Sequence, residues 1–163
     1  MKTTSPRVSS RQEAAALARQ VQSQGGTVVF TNGVFDLLHP GHVRYLNDAR
    51  RLGDVLIVGV NSDRSVRANK GDNRPINRAE ERVEILLAFD FVNAVVVFDE
   101  HTPLDIITAI RPDILVKGAD WGPENIVGRE IVERRGGRVV RLELAKGFST
   151  TSLIGKMRPP ASS

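Results

Sequence analysis

Residues 27–42 read TVVFTNGVFDLLHPGH, and the fold turns on how they are parsed. The first five, ending at Thr31, are β-branched or aromatic and too short for a helix, which predicts a buried strand. Asn32-Gly33 breaks it, residues 34–38 supply a loop with one acid, Asp36, and Pro40-Gly41 punctuates again before a helical run beginning near His42. His39 and His42 therefore lie where a strand hands over to a helix. In open α/β sheets ligands bind at that place, with helix N–H groups and the positive end of the helix dipole facing an anion. Taken alone, H-x-x-H reads most simply as two loop histidines with satisfied hydrogen bonds. Its position between strand and helix, with Gly33 freeing the turn and Gly41 letting backbone approach a ligand, favours a binding loop.

On the N-terminal side, residues 1–8 are expected to be a disordered lead. Ser10-Arg11-Gln12-Glu13 is a capping-box pattern, and Ala14, Leu17, Ala18 and Val21 give one apolar face before Gly25-Gly26 ends the helix. On the C-terminal side, Val43, Leu46 and Ala49 continue a helix up to Gly53. Residues 54–61, DVLIVGVN, form a second strand with almost no alternation, as expected when both sheet faces are covered. Further strands are predicted at 93–98, 113–116 and 138–144. Between them, Asn77 with Glu80 looks like a helix cap ahead of a face of Val83, Ile85, Leu86 and Leu87. Residues 125–135 form a charged helix closed by Gly136-Gly137. Five strands alternating with helices predict one Rossmann-like α/β domain over residues 9–157. Right-handed crossovers build a five-stranded parallel sheet with helices on both faces. Residues 158–163 are a Pro/Ser tail.

Several strand ends carry chemistry of their own. Asn61-Ser62-Asp63 is a sufficient helix cap, yet its place at a strand end beside the histidine loop also suits substrate contact. Residues 64–74 read as a solvated, mobile loop, in which Lys70 and Arg74 could close over phosphates. Arg78 and Arg82 lie four apart on one helix face, where salt bridges to Glu81 or Glu84 explain them. His101, ahead of Thr102-Pro103, needs no role beyond solvating a turn. The loop Lys117-Gly118-Ala119-Asp120-Trp121 offers a carboxylate acceptor and an aromatic face, which suit the exocyclic amine and the ring of a nucleobase. Against that, a lone Trp is normally core. Ser149-Thr150-Thr151-Ser152 ahead of Leu153-Ile154 is a helix start whose hydroxyls and N–H groups can hold phosphate oxygens.

These segments together carry a resemblance. GVFDLLHPGH resembles the G-x-F-D-x-x-H-x-G-H signature of the nucleotidyltransferase superfamily that includes cytidylyltransferases and sugar-phosphate adenylyltransferases. KGDNRPIN, KGADW and GFSTTSLI are similar to its K-G-x-x-R-P-x-N, K-G-x-D-[WY] and G-x-S-T-T-x-x-I segments. Over residues 25–157 the chain most resembles the bacterial D-glycero-β-D-manno-heptose 1-phosphate adenylyltransferases. Lys146 departs from the pattern, standing where relatives carry an acid. The resemblance implies catalytic roles for His39, His42 and Lys70. It implies nucleotide and phosphate contacts from Thr31, Asn32, Gly33, Phe35, Asp36 and Gly41, from Lys117, Gly118, Asp120 and Trp121, and from Ser149, Thr150 and Thr151. It implies sugar-phosphate contacts from Asn61, Asp63, Arg74 and Arg82. Asp36 could assist a metal or pin its loop. The implied substrates are ATP, bringing Mg2+ with it rather than using a protein metal site, and a sugar 1-phosphate made by a separate sugar kinase. A cytidylyltransferase acting on glycerol phosphate or another phosphorylated alcohol, and a non-catalytic nucleotide-sensing module, are the alternatives.

Composition sets the outer limits. The 163 residues are 40% apolar, enough for one compact core, and contain no cysteine, which excludes disulfides and thiolate metal sites. No apolar run reaches transmembrane length and no signal-peptide core is visible, so a cytoplasmic enzyme with no membrane partner is expected. The net charge of +4 and pI near 10.0 suit polyphosphate. The basic residues are interleaved with acids, and only six Phe, one Trp and one Tyr offer stacking surfaces, so nucleic acid is not an expected partner. A homodimer is the expected assembly. Neither G-x-G-x-x-G nor a P-loop signature occurs.

Overall fold

The structure is a computed structural model, described here for residues 7–144, 147 and 149–157. The chain alternates strand and helix. Its elements are β1 (Arg7–Val8), α1 (Arg11–Ser23), β2 (Val28–Gly33), α2 (Pro40–Arg50), β3 (Val55–Asn61), α3 (Asp63–Lys70) and α4 (Ala79–Leu87). They continue with β4 (Ala94–Phe98), α5 (Leu104–Ile110), β5 (Ile114–Gly118), α6 (Arg129–Arg134), β6 (Arg138–Leu142) and α7 (Thr150–Met157). All strand pairs are parallel, in the order β1-β4-β3-β2-β5-β6. The five expected strands are all present. A two-residue strand, β1, joins them at the edge, where Arg7 and Val8 pair with Ala94 and Val95. Those two residues belong to the stretch expected to be a disordered lead; residues 1–6, the tail at 158–163, Lys146 and Phe148 lie outside the described residues.

The continuous apolar strands are explained by two cores, one on each face. Val28, Phe30 and Ile57 point into a cluster with Ala14 and Ala18 of α1 and Ile106, Ile107 and Ile110 of α5. Their neighbours Val29, Leu56 and Val58 point the other way, against Leu46 and Ala49 of α2 and Val83 and Leu86 of α4. Period-two alternation is thus real, but both faces are buried, so the sequence shows a solid apolar run.

The order of strands places β2 at the centre, and the chain runs from it in opposite directions: to β3 and β4 on one side, β5 and β6 on the other. A crevice opens at such a switch point, outside the carboxyl ends of the strands. The loop after β2 sits there.

Four local expectations are corrected. Residues 63–70 are helical, not loop: Ser62 caps α3 by accepting the Ser65 N–H (3.1 Å), and Ser65 and Val66 are buried. Helix α4 starts at Ala79, where the Glu81 carboxylate accepts the Arg78 N–H (2.8 Å), so Asn77 and Glu80 form no cap and Asn77 is used elsewhere. Ile85 is exposed, because at about 100° per residue it leaves the helix about 160° round from the buried Val83 and about 100° from Leu86. The charged helix after β5 is shorter than expected: Pro123–Asn125 is a separate 3₁₀ turn, and α6 begins at Arg129 after Gly128, whose φ of +90° forces a break.

Candidate active site

The histidine loop is held by the histidines themselves. His39 is the N-cap of α2, with Pro40 at the first helical position. The Nδ1 of His39 accepts the backbone N–H of His42 (3.4 Å), and the Nδ1 of His42 accepts the backbone N–H of His39 (3.3 Å). Their rings stack with centroids 3.8 Å apart. A backbone N–H can only donate, so both Nδ1 atoms are acceptors and each neutral ring carries its proton on Nε2. Burial, then the proximity of His39, pushes His42 down to about 4, and burial lowers His39 as well. Near neutral pH the pair therefore presents two Nε2–H donors beside the N–H groups at the start of an 11-residue helix. The ring of Phe35 meets His42 edge-on at 5.6 Å, and Phe35 holds a left-handed φ of +50°, a conformation that costs about 1–3 kcal/mol and is sustained only by its surroundings.

Those surroundings form a buried polar network. The Asp36 carboxylate accepts from the Arg74 Nε (2.7 Å), the Ile76 N–H (2.9 Å) and the Asn77 N–H (2.9 Å), while the Asn77 side-chain amide donates to the Asp36 carbonyl (2.9 Å). Burial alone would raise the carboxyl pKa of Asp36, but the Asn77 and Ile76 N–H groups and Arg74 outweigh it and hold the group below the usual range. Arg82, 1% exposed, completes the network. Its guanidinium donates to the Val34 carbonyl (2.6 Å), the Asn77 carbonyl (3.0 Å) and the Asp63 carboxylate (2.8 Å). Three backbone segments that are distant in sequence are thereby fixed to one another.

On the opposite side of β2, Lys117 at the end of β5 donates to the Asn32 Oδ1 (2.5 Å) and lies 5.7 Å from the Trp121 ring centre. It is 8% exposed, and burial lowers its pKa to about 8. Trp121 is half exposed, not core, and its carbonyl accepts from Arg141 (3.1 Å). Gly118 leaves room for the Asp120 carboxylate, which a Cβ at this position would meet at 2.4 Å and push aside. At the far end of the chain the Ser149 hydroxyl caps α7 by accepting the Ser152 N–H (2.9 Å).

These parts enclose a cavity of about 520 Å³, within the range of small-molecule sites. The structure brings His39, His42, Lys70, Asn32, Gly33, Phe35 and Asp36 to its wall. Lys117, Gly118, Asp120, Trp121, Ser149, Thr151, Asn61 and Arg74 are there too. Thr31 is not: it is fully buried, bonded to the Tyr45 hydroxyl (2.9 Å) and the Val116 carbonyl (3.0 Å). Gly41, Asp63 and Arg82 also stay out of the cavity; Gly41 lies in the first turn of α2, and the other two form the ion pair beneath the loop. Thr150 is the first residue of α7. Sequence reasoning missed Tyr45, Asn69, Asn125 and His101, all of which line the cavity. Asn69 is the last residue but one of α3, just before Lys70, and His101 falls three residues after β4.

The pH behaviour of Lys117 follows from its burial. A positive charge in the cavity favours a polyanion anywhere within it, and above pH 8 Lys117 loses its proton, so the KM for a polyphosphate substrate is expected to rise as pH climbs from 7 to 9. The free protein moves the opposite way: the unfolded lysine keeps its proton up to about 10.4, so stability increases from pH 8 upward on this account. Parallel pH profiles of KM and of thermal midpoint check both signs.

A family model described as cytidylyltransferase-like matches residues 30–154, the span that contains all of the cavity-lining residues named above. The chain belongs to the cytidylyltransferase-like family. It is 56% identical over 134 residues to the bifunctional protein HldE of Syntrophotalea carbinolica, covering 82% of this chain and 27% of that protein. With HldE of Citrifermentans bemidjiense the identity is 55% over 144 residues, covering 88% and 29%. The chain thus spans less than a third of the length of these relatives. Among solved structures, a lipopolysaccharide core biosynthesis protein from Thermoplasma volcanium superposes with a TM-score of 0.63 at 28% identity, covering 75% of this chain and all of that one. The histidine pair of this cytidylyltransferase-like chain lies at the crevice outside the carboxyl ends of the strands. No described helix is long and apolar enough to cross a membrane.

Proposed function

We propose that the protein transfers AMP from ATP to D-glycero-β-D-manno-heptose 1-phosphate, forming ADP-heptose, a precursor of the lipopolysaccharide core, and releasing pyrophosphate. The observation that carries the reading is the reciprocally capped histidine pair, which shares its cavity with the Ser149 helix start. A sugar 1-phosphate is largely dianionic at neutral pH, with a second pKa of about 6, so it needs no general base. One of its oxygens attacks the α-phosphorus in line. The bond from that phosphorus to the oxygen bridging to the β-phosphate breaks, and pyrophosphate leaves with the electron pair. The protein's work is to hold two polyanions together and stabilise the charge that moves.

The Nε2–H groups of His39 and His42 donate to the α-phosphate and the departing oxygens, the α7 start holds the outer phosphates, Lys70 holds the acceptor's phosphate beside the reacting centre, and Lys117, Asp120 and Trp121 take the base. Magnesium arrives on the triphosphate as part of the substrate. The Asp36 carboxylate is already committed to Arg74 and two N–H groups, so it pins its loop instead of binding a cation. The nucleophile's phosphate must come from a kinase reaction upstream.

A second reading is favoured by Asp120, which can accept from the exocyclic amine of cytosine as well as that of adenine: CTP with glycerol 3-phosphate or another phosphorylated alcohol. Pyrophosphate release measured with ATP and with CTP, over a panel of sugar and polyol phosphates, decides between them. The proposal expects turnover with ATP and heptose 1-phosphate at least ten-fold above any CTP pair; preference for CTP establishes the second reading, and no release with any pair contradicts both.

A further inference from the structure

We propose that His101, at the carboxyl end of β4, binds the phosphorylated polyol acceptor and sets its specificity. The inference rests on the nucleotidyl-transfer reading above and adds a residue to it.

The sheet register locates the acceptor's half of the cavity. Asn61 pairs with Phe98, so the chain leaving β4 runs beside the chain leaving β3, and His101 meets the cavity on the same side as Asn61, Asn69 and Lys70. The base-binding features, Lys117, Asp120 and Trp121, follow β5 on the other side of the histidine loop. A nucleotide seated there with its phosphates at the histidines leaves the β3/β4 side for the second substrate.

The loop that carries His101 is tied to α1 and α3. Glu100 pairs with Arg11 of α1 (2.6 Å), and its carbonyl accepts from the Ser65 hydroxyl (3.4 Å), which in turn accepts from the Asn61 amide (3.1 Å). Asp99 is held by Ser62 and Arg64 at the start of α3. Two residues are thus fixed from two helices, and the next presents an exposed imidazole that no group among the described residues engages. Such bracing preorganises a side chain for a ligand.

The chemistry of this wall selects the ligand class. Arg74 is neutralised by Asp36, which leaves one ammonium, Lys70, with two amides and an imidazole. One cation with neutral donors and acceptors fits a phosphomonoester on a hydroxyl-rich skeleton and is too little charge for a second polyphosphate.

Steady-state pyrophosphate release by the wild-type chain, His101→Ala and His101→Asn provides the test. His101→Ala is expected to raise the acceptor KM about ten-fold, the loss of one hydrogen bond to a charged or hydroxyl group. The KM for the nucleotide and kcat should stay within about two-fold, and His101→Asn, which keeps a donor and an acceptor, should recover much of the acceptor KM. An unchanged acceptor KM in His101→Ala, or an equal rise in the nucleotide KM, overturns the assignment while leaving nucleotidyl transfer intact. A wild-type chain that releases no pyrophosphate on any phosphorylated polyol overturns the transfer reading and this one with it.

Discussion

Replacing His42 by alanine is expected to lower kcat by about 10²–10³, the loss typical for one preorganised donor to a developing oxyanion, with the thermal midpoint shifted by only a few degrees. The ring is partly buried and accepts the His39 N–H, so its removal takes that partner from the His39 N–H, but the cap made by His39 on the His42 backbone survives. His39→Ala should cost a similar factor in kcat and more in stability, because it removes the N-cap itself, worth about 1 kcal/mol. Turnover and calorimetry on the two variants separate these effects. The acid side is equally specific. Since the pKa of His42 is pushed down to about 4, the free enzyme loses no donor geometry through pH 6–7 on its account. In the unfolded chain the same imidazole takes a proton near pH 6.5, so stability contributed by the neutral ring is complete above that pH and falls as pH drops from 6.5 towards 4.

Arg82→Met is expected to be the most destabilising single change at the site, by about 3–5 kcal/mol. The substitution fills the space but strands the Val34 and Asn77 carbonyls and deprives Asp63 of its buried partner. For a domain of this size that corresponds to a drop in thermal midpoint of roughly 10 °C or more. Lysine at the same position should rescue little, because one ammonium cannot reach three acceptors that a planar guanidinium spans. Chemical denaturation of Arg82→Met and Arg82→Lys checks the magnitude. A loss under 1 kcal/mol would mean that the three segments it joins hold their places without it.

The contrast between these two residues shows where sequence reading runs out. The histidines were legible because strand, turn and helix start follow one another within sixteen residues, and the topology rules put that handover at a switch point. The strands were legible for the same reason: doubly covered strands leave apolar runs that nothing else explains. Arg82 was not, because what defines its role is contact with Val34, 48 positions away, and with Asp63, 19 away. A local pattern offers it Glu81 and Glu84 instead. The cap of α3 was visible at Ser62, but its body read as loop because it has a single buried apolar side chain, Val66, and its stop is a glycine at φ +93° in a stretch that is otherwise charged. His101 and Asn69 were invisible as site residues because only the parallel pairing of β3 with β4 sets the segments that follow them side by side. Trp121 defeats composition reasoning outright: the one tryptophan lies half exposed at a cavity, where a stacking partner can reach it.

The account stands or falls on where the triphosphate sits. A crystal structure of the protein with Mg2+ and a non-hydrolysable ATP analogue should place the α- and β-phosphate oxygens within about 3.2 Å of Nε2 of His39 and His42, with the outer phosphates against the Ser149 end of α7. A nucleotide bound elsewhere, or phosphates turned away from both imidazoles, would contradict it.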